Sequence, residues 1–306
     1  MWFKNLIVYR LPDDWSVSAR ELEDKLTARQ LMPCGSFDMQ SKGWVFASDL
    51  ERYVHTINGQ HLMALGVDQK LLPGSIIRQV ATERAKEMAK EQGYPVGRRQ
   101  MRELKMRVTE ELRGRALTRK RVTHAWIDPI NHWLVVNASS EGKAEELVET
   151  LRDTIGGSLQ VTLLETERSA SATLTSWLML GDAPLTFTID DDCELQAADA
   201  SKPTIRYVRH PLDGKEIRNQ IQGGMYATRL GLTWKDRISF VLNEKLHVKK
   251  LEFLLIEKDK AEEGSTTSPA EQFDIDMTLM TGELNALLQD LSTVLGNEQA
   301  PQAAAA

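Results

Sequence analysis

The chain has 306 residues, with 38 Lys and Arg against 44 Asp and Glu for a net charge of −6, and it is 42% hydrophobic. That hydrophobic share is ordinary for a globular protein, and the length suits about two domains. Its apolar stretches are short, such as "LEFLLI" at 251–256, so no helical membrane span of about 18 residues is expected. Two cysteines, Cys34 and Cys193, do not make a disulfide scaffold and read as free thiols of a reducing cytoplasm.

The opening run "MWFKNLIVYRLPDDW" has too short an apolar core for a signal peptide and predicts a strand at 6–11. Leu22, Leu26 and Leu31 lie near helical spacing and predict a helix over 18–31, followed by a strand at 44–47. Residues 61–72 read as a strand or a hairpin, with turn chemistry between Gly66 and Asp68. Pro73 and Gly74 then punctuate a change of pattern. Ile77, Val80, Ala81, Ala85, Met88 and Ala89 predict an amphipathic helix from a Ser75 cap to Gly93. Met101, Leu104, Val108 and Leu112 repeat the pattern over 98–114, and the short "YPVG" turn between them implies an αα-hairpin. Its narrow, Met-rich stripes suit an arm that projects from the body.

"THAWIDPINHWLVVNA" at 123–138 reads as two strands around a turn, followed by a helix at 141–156 and a strand at 159–165. "TERSASAT" at 166–173 is Ser/Thr-rich and reads as a linker. Beyond it come the strand candidates "LTFTID", "ELQAA", "TIRYVR", "YATRLGLTW", "ISFVLN" and "VKKLEFLLI", with a helix at 213–222 capped by Asp213. A polar loop at 258–272 leads to a Leu-rich helix at 276–296. The fold expected is α+β, with antiparallel-rich sheets in two domains. The first comprises 1–72 and 121–166, the hairpin arm at 73–120 is inserted in it, the second spans 167–297, and 298–306 is a disordered tail.

No phosphate-binding glycine loop, CxxC, HExxH or GxSxG motif occurs, so neither catalysis nor a metal or cofactor is expected from motifs. The pairs His55 with His61 and His124 with His132 read as structural or surface residues. The "DDD" at 190–192 reads as a solvated turn. Asp274 and Asp276 read as helix caps; as two carboxylates on one face of a strand, they would instead suit a Mg²⁺-dependent nuclease.

Charge is the informative signal. Residues 78–121 hold 14 Lys and Arg against 6 Asp and Glu, leaving 24 against 38 elsewhere. Arg113, Arg115, Arg119, Lys120 and Arg121 follow one another without an acid, and Arg98, Arg99 and Arg102 lie upstream. If a strand begins at 119, Arg119 and Arg121 share one face and Lys120 takes the other. Arg206, Arg209 and Lys215 form a second basic group, with Tyr207 beside them as a packing residue. Guanidinium forks match phosphate oxygens, which points to a polyanion held by its backbone. Tyr94 is the one aromatic within 78–121, which disfavours base stacking by that segment.

Several stretches carry a resemblance. "WFKNLIVYRL" at 2–11, "PCGS" at 33–36, "GWV" at 43–45, "LP…IIRQ" at 72–79, "WID" at 126–128, "LGLTW" at 230–234 and "FDIDMTLMTGEL" at 273–284 resemble, in order, the RdgC family of recombination-associated proteins. The resemblance implies a non-enzymatic protein of the bacterial nucleoid that binds DNA without strong sequence preference and restrains the RecA recombinase. It implies two chains closed into a ring, with a basic inner surface around duplex DNA. Single-stranded DNA is a further ligand to consider. By position, Arg115 and Arg209 correspond to the family's basic positions near DNA. Where the family carries an aromatic, two residues past the first of these, this chain has Leu117. A module that binds RecA without DNA is the other alternative to the nuclease.

Overall fold

The computed structural model describes residues 2–157, 159–184, 186–254 and 268–296. Expectations for the tail and for most of the 258–272 loop lie outside the described residues. The fold is α+β, with two antiparallel sheets and seven helices among the described residues.

The first sheet contains β1 (Ile7–Arg10), β2 (Gln40–Val45), β3 (Val54–Ile57), β4 (Gln60–Lys70), β5 (Thr118–Asp128), β6 (Trp133–Val136) and β7 (Thr162–Leu163). Its order is β2-β4-β5-β6-β1-β7, with β3 also paired to β4. Residues 61–72 do not turn at Gly66: β4 runs straight through and pairs with β5 from His61↔Ile127 to Lys70↔Thr118. Gly66 and Gly43 instead face each other across β2 and β4. A side chain on Gly66, where a turn was expected, would meet Val45 Cγ1 at 2.6 Å and Leu31 Cδ2 at 2.8 Å, so that glycine permits close packing within a strand instead. The strand at 159–165 shrinks to Thr162–Leu163 on the sheet edge.

Two helices, α1 (Ala19–Thr27) and α4 (Glu141–Ile155), cover one face of this sheet. Leu22, Leu26, Leu147 and Leu151 meet Ile7, Met63, Leu65 and Ile127 there. Strand alternation sends Leu62, Trp126, Trp133 and Val135 to the other face.

That other face packs on α7 (Pro269–Val294). A capping box formed by Ser268 and Glu271 starts α7 seven residues earlier than its hydrophobic pattern implied. Asp274 and Asp276 therefore lie inside a helix, neither in a strand nor at a cap. Trp2 Nε1 donates to Asp276 at 3.0 Å, and Asn285 donates to Asp128 at 3.2 Å, tying α7 to the first sheet. Trp234 Nε1 donates to Asp290 at 2.8 Å, and Arg237 pairs with Glu283 at 2.7 Å, tying it to the second.

The second sheet has the order β12-β11-β10-β8-β9: β8 (Phe187–Ala197), β9 (Thr204–Tyr207), β10 (Met225–Trp234), β11 (Ile238–Asn243) and β12 (Val248–Phe253). The two strands expected at "LTFTID" and "ELQAA" are one. The three aspartates lie within β8, not in a turn, and the side chains of two are anchored there. Thr233 donates to Asp190, while Asp192 accepts from the Arg209 backbone N–H and from Lys250. The linker reading of 166–173 also gives way: α5 (Ala170–Leu180) starts inside it, capped by Ser169. The hydroxyls there turn inward, Ser171 donating to Ala227 O at 2.7 Å and Thr175 to Ser171 O at 2.6 Å, while Leu174, Trp177 and Leu178 are buried. Gly214, not Asp213, caps α6 (Lys215–Gln222). Leu6 and Val248 exchange backbone hydrogen bonds, joining the two sheets.

Between β4 and β5 the chain forms α2 (Gly74–Gln92) and α3 (Arg98–Arg115). The first cap is Pro73 with no side-chain bond, so Ser75 is helical rather than capping. Gly93 closes α2 at a φ of 77°. The helices run antiparallel, with Gln100 donating to Gln92 at one end and Arg84 paired to Glu111 at the other. Ala81, Ala85, Leu104 and Val108 form a small core of their own, flanked by Ile77, Val80, Met88, Met101 and Leu112.

Candidate nucleic-acid interface

The basic run bridges α3 and β5. Arg113 and Arg115 occupy the last turn of α3, where cations suit the helix dipole. Leu117 carries the chain into β5 and is 78% exposed. From Thr118 the strand alternates, so Arg119 and Arg121 share one face and Lys120 takes the other. Register places Arg119 beside Gln69, Lys120 beside Asp68 and Arg121 beside Val67.

The five bases are not equivalent. Arg121 is half-buried and donates to Glu146 of α4 at 2.5 Å. Arg113 is also half-buried. Arg115, Arg119 and Lys120 are exposed and meet no carboxylate among the described residues. Arg119 and Arg121 line a cavity of about 670 Å³ together with Lys42, Gln69 and Lys143; Glu145, Glu146 and Glu149 form its far wall. The carboxylates repel an anion from the α4 side, leaving the approach along β5 and the end of α3 the more favourable.

The other expected residues are scattered. Arg98, Arg99 and Arg102 are exposed near the start of α3, about 20–25 Å along its axis from Arg115. Arg99 is engaged with Glu103 at 3.2 Å. Arg206, Arg209 and Lys215 belong to the second sheet and α6. The Arg206 guanidinium holds Glu194 through Nε at 2.9 Å and Nη2 at 2.5 Å. Burial alone would push Glu194 up, but bonds from Arg206 and Thr228 and the nearby Arg229 charge outweigh it and keep the carboxyl below its ordinary range. Arg206 is thus committed to an internal carboxylate. Arg209 is exposed in a left-handed conformation, φ 52°, fixed by its own N–H to Asp192. Lys215 is exposed at the first position of α6. Tyr207 is half-buried and lies 5.4 Å from His210, ring to ring.

The histidines do not assemble. His55 binds Asp274 at 2.8 Å, His61 binds Thr56 at 3.0 Å, and His132 sits in the β5–β6 turn. Burial pushes His124 down to about 4. Asp276 accepts from Trp2 and Gln272, whereas Asp274 turns to His55, so the two carboxylates do not converge. Among the described residues no three His, Cys, Asp or Glu side chains gather as a metal site. No described helix is long and apolar enough to cross a membrane.

Sequence reasoning passed over Phe37. It is distant in sequence from the basic run and stands in no periodic segment, yet the fold brings its loop to the same end of the sheet. Lys70 donates to Gly35 O and Ser36 O, and Lys70 is the register partner of Thr118.

A family model described as "Putative exonuclease, RdgC" matches residues 1–298. The chain is 46% identical over 301 residues to the recombination-associated protein RdgC of Dechloromonas aromatica (strain RCB), covering 97% of this chain and 98% of that protein. It is 43% identical over 300 residues to the protein of the same name from Herminiimonas arsenicoxydans, covering 98% and 99%. Against that of Bordetella pertussis (strain Tohama I / ATCC BAA-589 / NCTC 13251) the figure is 44% over 299 residues, again covering 98% and 99%. Matched along nearly its whole length by both the family model and these relatives, the chain belongs to the RdgC family.

Proposed function

We propose that this protein binds double-stranded DNA without sequence preference, as a nucleoid-associated homodimer that encircles the duplex and limits RecA-dependent recombination. The carrying observation is the trio Arg115, Arg119 and Lys120, exposed and without carboxylate partners in a chain of net charge −6. Phosphate neutralisation needs such free cations and no base-reading geometry. Family membership supports the connection to recombination, since the relatives bear that name. In this reading 1–72 with 121–166 and 167–297 are two domains, and the helix pair at 73–120, with its own small core, is an arm that reaches a second copy.

Equilibrium binding to unrelated duplexes across a salt series, with sedimentation of the full chain, tests the proposal. Similar affinities, a steep salt slope and a dimer of about twice 34.5 kDa are expected. A monomer at micromolar concentration would sink the ring. RecA inhibition that persists after Arg115, Arg119 and Lys120 are neutralised would favour a direct contact with RecA instead.

The family description favours keeping a nuclease as the second reading. Asp274 and Asp276 are poorly disposed for it, because they turn to different partners.

A further inference from the structure

Asp68 and Lys70 are both buried near the end of β4, at 8% and 6% exposure, and neither makes an ion pair among the described residues. Each is committed to the loop between α1 and β2. Lys70 Nζ donates to Gly35 O at 2.7 Å and Ser36 O at 3.0 Å. Asp68 Oδ2 accepts from Cys34 N at 3.3 Å. The Lys70 N–H reaches Met39 O at 2.9 Å, Asp38 N reaches Gly35 O at 3.3 Å, and Ser41 Oγ reaches Met32 O at 2.6 Å. Burying an ammonium without a carboxylate is costly, and the carbonyl bonds are what offset it. The loop is therefore braced from beneath by two charged side chains.

The braced loop displays Phe37, which at 82% exposure is the most exposed large apolar side chain among the described residues. It has no ring partner there. A slack loop would let the ring fold against the sheet; a braced one holds it in water, ready for a ligand. Its setting names that ligand. The same stretch of β4 that anchors the loop pairs with the basic end of β5: Asp68 with Lys120, Gln69 with Arg119, and Lys70 with Thr118. An aromatic face beside free cations is the combination that binds unpaired nucleic acid, the base stacking on the ring while the cations hold its phosphates.

We propose that Phe37 is a stacking platform for an unpaired nucleobase, with Lys120, on the same face of the sheet as the loop's anchors Asp68 and Lys70, holding a flanking phosphate. This rests on the reading of the start of β5 as a nucleic-acid interface and names the side chain that would take an unpaired base there. The stacking energy is insensitive to base identity, in keeping with binding that reads no sequence.

The test uses the full chain, a single-stranded oligonucleotide carrying one 2-aminopurine, and three variants: Phe37→Ala, Phe37→Trp and the double variant Arg119→Gln, Lys120→Gln. Phe37→Ala should weaken single-strand binding about 5- to 150-fold, leave the salt slope unchanged and relieve 2-aminopurine quenching. Phe37→Trp should restore both affinity and quenching. The double variant should flatten the salt slope. Because the ring is exposed, thermal melting of Phe37→Ala should match the parent, which separates loss of contact from loss of fold. Unchanged affinity and quenching in Phe37→Ala, with binding lost in the double variant, would overturn the stacking proposal and leave the interface standing. No binding by the parent chain would overturn both. A Phe37→Ala variant that sediments as a smaller species, with unchanged base quenching, would show that the ring meets protein instead.

Discussion

Arg121 donates to Glu146 at 2.5 Å across the gap between β5 and α4, whereas Arg119, two residues earlier on the same face, meets no carboxylate among the described residues. One guanidinium is engaged within the protein, and the other remains available to a ligand. In the sequence the two are equivalent members of a basic run, since Glu146 lies 25 residues away.

The two arginines should therefore fail differently. Arg121→Gln leaves a half-buried carboxylate without its donor and should lower stability by about 1–2 kcal/mol, with little effect on the salt dependence of binding. Arg119→Gln should melt like the parent but flatten the slope of log K against log salt by about 1 for duplex DNA, equally for all sequences. Urea unfolding and salt-dependent binding of the two variants check this, and interchangeable behaviour would refute it.

The helix pair should open before the sheets do. Its core of Ala81, Ala85, Leu104 and Val108 is small and separate from the other two. Amide exchange should show α2 and α3 opening together at a lower free energy than β4, β5 and β10. Leu104→Ala should cost the pair about 2–3 kcal/mol and accelerate its exchange without altering that of the sheets. Uniform acceleration throughout the chain would mean that the pair is not a separate unit.

Acid should destabilise the fold before the carboxylates titrate. Burial holds His124 at about 4 and also lowers His61 and His247 below their ordinary value of 6.5. The unfolded chain takes up these protons first. Stability is thus full above about pH 6.5 and drains as pH falls toward 4, His124 contributing on the order of 1–3 kcal/mol. Urea midpoints measured over that range should decline, and His124→Gln should flatten the decline. A His124 resonance titrating near 6.5 in the folded protein would contradict this account.

Supercoiled plasmid incubated with the protein and Mg²⁺ should remain intact. Asp276→Ala should act on the fold instead, removing the acceptor of Trp2 Nε1 and Gln272 Nε2 at a cost of about 1–3 kcal/mol. Mg²⁺-dependent cutting that disappears in both Asp274→Ala and Asp276→Ala, each still folded, would establish the nuclease.

Much of the fold was legible because periodicity reports burial directly. Met101, Leu104 and Val108 announced α3, and the two strand-like runs on either side of the "DPIN" turn announced β5 and β6. Other signals were present but unread: "INGQ" at 57–60 is a two-residue hairpin turn, Asn58 and Gly59 both at positive φ, and it marks β3. Ser268 and Glu271 likewise spell a capping box, yet the polar residues around them resembled a loop. The helix at 170–180 defeated local reasoning for a physical reason. Its Ser and Thr side chains favour loops in isolation, and only Ala227 O and the helix's own carbonyls satisfy them here.

The sequence by itself determined the α+β class, the antiparallel helix pair, the concentration of positive charge over 78–121 and, through its motifs, the family. These follow from spacing and composition, which are local properties of a chain. Only the tertiary structure decided which charges remain free. It joined Arg121 to Glu146 and Arg206 to Glu194, drew Asp274 and Asp276 to different partners, and anchored the loop that carries Phe37 on Lys70, whose strand pairs with the start of β5. A charge becomes available or committed according to what lies within about 4 Å of it, and in a folded chain those neighbours come from any distance along the sequence.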